Sequence, residues 1–172
     1  MNKEILLVPV GEVSPEVCKW LEGALLRVFD CACRVAPPAP HPDFAWNKRR
    51  KQYRAESILE RVQVEDAACA LAIADLDLYV PDLNFVFGIA QGVMARAIIA
   101  VPRLRQSYYG LPEDADVFRQ RVVKEAVHEL GHVLGLEHCH DRRCVMAFSN
   151  SLEDTDYKGW QFCPECRGSL PS

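Results

Sequence analysis

Hydrophobic positions along this chain change their period several times, and each change predicts an element. Residues 5–10 form a compact apolar run, interrupted by Pro9 and followed by Gly11 and Glu12, which suits a buried first strand. Ser14 then stands as an N-cap with Pro15 at the first helical position, and Val17, Trp20, Leu21, Ala24, Leu25 and Val28 recur at helical spacing. Residues 31–36 read as a short second strand. Pro37, Pro38, Pro40 and Pro42 make the next stretch the most linker-like in the sequence, and it predicts an exposed loop. Tyr53, Ile58, Leu59 and Val62 place a second helix over 47–64 with a largely charged outer surface. Residues 69–74 are again a buried strand, while 84–91 and 95–101 read as two strands joined tightly near Gly92, a hairpin. Acidic Glu113, Asp114 and Asp116 then favour the start of a long helix, because carboxylates stabilise the positive helix end.

This order of elements is that of an α/β (α+β) layer with a mixed sheet. Residues 1–138 would form the main core, ending in the long helix, and 139–172 a small C-terminal subdomain. Only 34 residues follow His138, too few for a separate hydrophobic core, so a metal staple is a sensible way to hold that lobe.

A length of 172 residues, 49% hydrophobic and 26% charged, fits one globular domain and excludes disorder or a fibrous repeat. The net charge of −4 gives no general attraction to nucleic acid or an anionic membrane. The one basic cluster, Lys48, Arg49, Arg50 and Lys51, reads as a solvated helix face. The first apolar run is too short and too soon broken for a signal peptide or a membrane span, so a cytoplasmic location is expected. There the eight cysteines are metal ligands and core residues before they are disulfides. Cys18, Cys31, Cys33 and Cys69 lie among apolar neighbours and read as buried small hydrophobes.

The chemistry concentrates in HELGHVLGLEH, residues 128–138. Side chains four apart lie on one helix face, so His128 and His132 can grip one ion. Glu129 points in a neighbouring direction, from which it can reach a water on that ion as general base. Gly135 can take a left-handed conformation that ends the helix and lets His138 return as a third nitrogen ligand. Three neutral imidazoles leave one position of a tetrahedral zinc open for water, the arrangement of a catalytic site, and the chemistry it supports is amide hydrolysis. Met146, eight residues beyond His138, is a candidate for a methionine turn beneath the metal.

A second cluster follows. Cys139 directly succeeds His138, Cys144 comes five later, and Cys163 and Cys166 form CPEC, the spacing of a zinc knuckle. Four thiolates favour a structural zinc; a disulfide, or a mixed set using His140, are the alternatives. Cys139 and Cys144 flank the route from His138 to Met146, so losing this ion should loosen the third histidine and the floor beneath it.

The string HELGHVLGLEHC, four residues, CVM and then CPEC resembles the archaemetzincin family of metzincin metallopeptidases. The resemblance covers residues 128–166. It implies a twisted mixed sheet packed on helices, His128, His132 and His138 on a catalytic zinc, and Cys139, Cys144, Cys163 and Cys166 on a structural one. It also implies two zinc ions per chain and a peptide substrate laid along residues 84–91 as an edge strand. The expected function is a zinc-dependent peptidase acting on peptides, or as an aminopeptidase, rather than on folded proteins. The alternative is a zinc-containing peptide-binding protein without useful turnover. A nucleic-acid zinc module is disfavoured because basic and aromatic residues do not gather around CPEC. For Tyr108, Tyr109 and Phe148, packing is expected ahead of substrate contact.

Overall fold

The computed structural model describes residues 4–171. In chain order the elements are β1 (Glu4–Val10), α1 (Pro15–Phe29), β2 (Ala32–Val35), β3 (Trp46–Asn47), β4 (Gln52–Arg54), α2 (Ala55–Leu59), β5 (Cys69–Ala74), β6 (Leu78–Tyr79), β7 (Gly88–Gln91), β8 (Arg96–Ala100), α3 (Ala115–Val133), α4 (Leu152–Tyr157) and α5 (Pro164–Gly168).

The main sheet has the order β2-β1-β5-β8-β7. Its first four strands are parallel, and β7 closes one edge antiparallel to β8, with Gly88 opposite Ile99 and Gln91 opposite Arg96. Successive residues of β1 and β5 face opposite sides. Ile5, Leu7, Leu71, Ile73 and Ile99 meet α1 and α3 in one core, and Leu6, Val8, Ala70, Ala72 and Ile98 meet α2 in a second. Cover on both faces explains why residues 5–10 of β1 and all of β5 are apolar, as parallel strands tend to be. The predicted mixed sheet and hairpin are both present, the β7–β8 connection being a short 3-10 turn at Gly92–Met94.

One element needs correction. The helix over 47–64 is not formed: β3 and β4 make a small antiparallel pair, β6 lies parallel to β4, and only Ala55–Leu59 is helical. Asn47 is the reason. Its side-chain oxygen accepts the N–H groups of Arg49 and Arg50 at 3.1 and 3.2 Å, and Lys51 takes φ of 56°, so the basic cluster caps a hairpin turn instead of a helix face. Ile58, Leu59 and Val62 still reach the second core, which is what their spacing encoded. The proline-rich stretch is the exposed loop expected, with Pro37, Pro38 and Pro40 at the surface, and it is pinned at one point. Ala39 N–H donates to Pro9 O and Gly11 N–H to Ala39 O, both at 2.8 Å, so it runs on beside β1. Of the scattered cysteines, Cys18 and Cys69 are buried, while Cys31 and Cys33 are half-buried near the sheet edge.

The long helix begins as its acidic start predicts. The Asp114 carboxylate accepts from Asp116 N–H and Val117 N–H at 3.1 and 3.0 Å, satisfying two donors that have no partner within the helix. Asp114→Ala is expected to cost about 1 kcal/mol of stability, which lowers the melting temperature by roughly 2–4 °C in a chain of this size. Thermal unfolding followed by circular dichroism checks this, and an unchanged melting temperature contradicts it.

Candidate metal centre

Helix α3 carries His128 and His132 one turn apart and stops directly after them. Gly135 takes φ of 91° and donates its N–H to His132 O, while Leu136 N–H donates to Gly131 O, each at 3.0 Å. This pair of bonds is a Schellman cap, and its left-handed residue favours glycine. The turn also delivers Leu136 O to within 2.8 Å of His132 Nδ1. His128 Nδ1 lies 2.8 Å from Val145 O. A carbonyl can only accept, so both Nδ1 atoms carry the proton and both Nε2 atoms keep their lone pairs.

Those two Nε2 atoms face each other at 3.1 Å. Two lone pairs at that distance repel unless a cation lies between them. Tetrahedral zinc with Zn–N bonds of about 2.0–2.1 Å would set such nitrogens about 3.3 Å apart. His138 completes the group, all three ligand atoms lying within 4.8 Å of one another. Burial, and next the Lys158 ammonium, depress His128 to about 3, and burial also lowers His138, so these imidazoles are neutral and able to ligate at neutral pH. His138 is exposed, with the Phe148 ring 5.1 Å from its own. Phe148 therefore stands in the open at the mouth of the site, not in packing as expected.

Two glycines fit this centre closely. Met146 is fully buried under α3 and its sulfur occupies the space where a side chain at Gly131 would begin. Gly88, the first residue of β7, leaves room for Glu129: a Cβ there would lie 2.7 Å from Glu129 Cγ and 2.8 Å from its Oε1. Burial, and then the Glu125 carboxylate, push Glu129 well above the ordinary carboxyl range, opposed by Lys158.

Behind the histidines lie polar residues that the spacing of the motif does not mark. Arg121, Lys124, Glu125 and His128 form one buried stripe of α3, and all four meet the C-terminal chain. Arg121 makes a bidentate pair with Asp156, both contacts at 2.7 Å; Lys124 Nζ donates to Thr155 O at 3.0 Å; the Thr155 hydroxyl donates to Glu125 Oε1 at 3.1 Å. Lys158 Nζ, its side chain 0% exposed, lies 3.4 Å from Glu125 Oε1. A signal existed in the charged residues at helical spacing ahead of His128, but none marked Lys158. Gly131 was readable as a glycine inside a helix, which needs a packing reason.

Four cysteine sulfurs gather beyond the turn. Cys139, Cys144, Cys163 and Cys166 hold their Sγ atoms within 4.8 Å of one another. Cys139 Sγ and Cys163 Sγ are 3.8 Å apart, far beyond a disulfide bond and equal to the spacing of about 3.8 Å that Zn–S bonds of about 2.3 Å impose. His140 is not in the group. Cys166 N–H donates to Cys163 Sγ and, as the largest cause, holds that thiol below its ordinary value. The cluster is tied to the histidine site through Cys139 N–H, which donates to Met146 O at 3.0 Å.

Helix, edge strand and turn together define a metallopeptidase of the metzincin kind. Comparison with known proteins narrows this. The model of Peptidase family M54 matches residues 42–171. Archaemetzincin of Methanocaldococcus jannaschii is 44% identical over 171 residues, covering 99% of this chain and 94% of that protein. The crystal structure of archaemetzincin from Archaeoglobus fulgidus, complexed with malonate, superposes with a TM-score of 0.87 at 37% identity, over 97% of this chain and 99% of that one. A zinc-dependent peptidase from Methanocorpusculum labreanum gives the same TM-score, 0.87, at 27% identity, over 97% of this chain and 100% of that one. The chain belongs to peptidase family M54, the archaemetzincins, and is a zinc metallopeptidase.

Gly88→Ala is expected to displace Glu129 while leaving the histidines in place. Peptide turnover should fall about tenfold or more, as small misplacements of a reacting group do, with zinc content unchanged. Unaltered turnover would show that Glu129 does not need this space.

Proposed function

We propose that His128, His132 and His138 hold the catalytic zinc, that Glu129 is the general base acting on the attacking water, and that Cys139, Cys144, Cys163 and Cys166 hold a second, structural zinc, two ions per chain. The observation that carries the reading is the 3.1 Å approach of two Nε2 atoms whose rings both spend their proton on a carbonyl. A zinc ion at this site supplies Lewis acidity, polarising the peptide carbonyl and making a water more acidic. Glu129, desolvated beside Gly88, accepts the proton of the attacking water and returns it to the departing amine nitrogen. Its raised affinity for protons suits both halves of that transfer.

The substrate is a peptide laid along β7. That strand ends the sheet, and its outer edge carries no strand among the described residues, so an extended peptide can add backbone hydrogen bonds there. Phe87, directly before Gly88, lines a cavity of about 590 Å³ with Phe85, Tyr109 and Leu152, room for side chains flanking the scissile bond. Short peptides, or an aminopeptidase action on them, are favoured over folded proteins; degradation of intact casein would contradict this preference. Residues 139–172 serve as a zinc-stapled lobe: Val145, Met146 and Phe162 join the main core instead of forming their own. No described helix is long and apolar enough to cross a membrane. Thiols gathered as a four-sulfur cluster and not joined as disulfides suit a reducing compartment such as the cytoplasm.

Metal analysis beside peptide hydrolysis tests the assignment. Wild type should carry two zinc ions, Glu129→Gln two with turnover reduced about a thousandfold, and His132→Ala and Cys163→Ser one each, the latter with a lower melting temperature. Full turnover by Glu129→Gln would remove the general base, and would leave a peptide-hydrolysing site that works differently.

A further inference from the structure

Lys158 is the largest side chain in the described residues with almost no contact with solvent, 1% exposed. Lysine is among the residues least often buried completely, because desolvating an ammonium is costly and a leucine or methionine would fill the same space without that cost. Its location suggests what offsets the cost. Nζ lies 3.4 Å from Glu125 Oε1 on α3, donates to Ala147 O at 3.3 Å in the turn that bears Met146, and sits 3.4 Å from His128 Nδ1. Glu125 is itself fixed by the Thr155 hydroxyl. The ammonium thus ties helix to turn at the level of the first histidine. In that turn Val145 O, two residues before Ala147, accepts from His128 Nδ1.

We propose that Lys158 is a positioning residue for the catalytic metal: it clamps the 145–147 turn against α3 so that Val145 O holds the His128 ring in the tautomer and orientation that present Nε2. The inference rests on His128 being a metal ligand and adds to that reading a residue outside the HExxHxxGxxH motif. Losing the hydrogen-bond partner of a ligating histidine typically changes metal affinity or activity by about 10–100-fold, and Lys158 acts through such a partner, Val145 O. The four-cysteine cluster provides a reference: it meets the clamped turn through backbone hydrogen bonds, Cys139 N–H to Met146 O and Ala147 N–H to Cys144 O, while no hydrogen bond or ion pair joins Lys158 to those cysteines among the described residues, so their sulfurs keep their own arrangement.

The test uses the full chain stripped of metal and titrated with Co2+, whose visible bands from a histidine site are separate from the sulfur charge-transfer bands of a thiolate site. Lys158→Met removes the clamp but leaves Glu125 buried without a counter-charge, so Lys158→Met with Glu125→Gln is measured beside it, restoring charge balance and melting temperature. Both variants are expected to bind Co2+ at the histidine site at least tenfold more weakly, with altered bands there and unchanged cysteine-site binding. In the zinc-loaded protein kcat should fall while KM stays within about twofold. The proposal is overturned if the double variant binds at the histidine site like wild type, for then only charge balance was at stake, or if both sites weaken together, which marks a general loss of structure. Wild type showing no histidine-site bands would instead overturn the ligand assignment on which the proposal stands.

Discussion

Everything at this site depends on two backbone carbonyls. Val145 O and Leu136 O each accept an Nδ1–H from a histidine of α3 at 2.8 Å, which leaves the opposite ring nitrogens unprotonated and facing one another. An imidazole free to rotate or change tautomer would bind a metal only part of the time, whereas one fixed by its far nitrogen is already oriented. Neither carbonyl is in a regular element. Leu136 O is placed by the left-handed turn at Gly135, and Val145 O by a turn that must be braced against the helix from outside.

The bracing comes from the C-terminal chain. Met146 fills the space beneath Gly131, Cys139 N–H bonds to Met146 O, and Lys158 spans Glu125 and Ala147 O. From the other side the sheet contributes β7, whose Gly88 admits the Glu129 side chain and whose outer edge carries no strand among the described residues. The parallel strands behind it, buried on both faces, make a rigid floor from which α3 is presented. The C-terminal chain of this zinc metallopeptidase therefore packs into the main core and braces the turn beneath α3.

Local spacing made part of this legible in advance. His128, Glu129 and His132 are related by helical periodicity alone, and Gly135 by the need for a positive φ, so the sequence could bring them together without knowledge of the fold. The strands 5–10 and 69–74 were equally readable, since a continuous apolar run suits a strand covered on both faces. The region 47–64 reads as helix because Ile58, Leu59 and Val62 satisfy helical spacing, whereas Asn47 holds a turn through its side chain, and a hydrophobic pattern does not register such a bond. Lys158 and Gly88 lie 30 and 41 residues from the atoms they affect, His128 and Glu129, and their meaning exists only in the folded contact. A lone lysine between a tyrosine and a glycine carries no mark of burial.

X-ray absorption at the zinc edge of the metal-replete protein tests the central claim most directly. If the imidazoles converge as their hydrogen bonds require, the average zinc environment should contain a light-atom shell at about 2.0–2.1 Å and a sulfur shell at about 2.3 Å in equal numbers. The ligand count should be three imidazole nitrogens and one oxygen at one ion, with four sulfurs at the other. A spectrum with sulfur alone, leaving no imidazole scattering, would contradict the account.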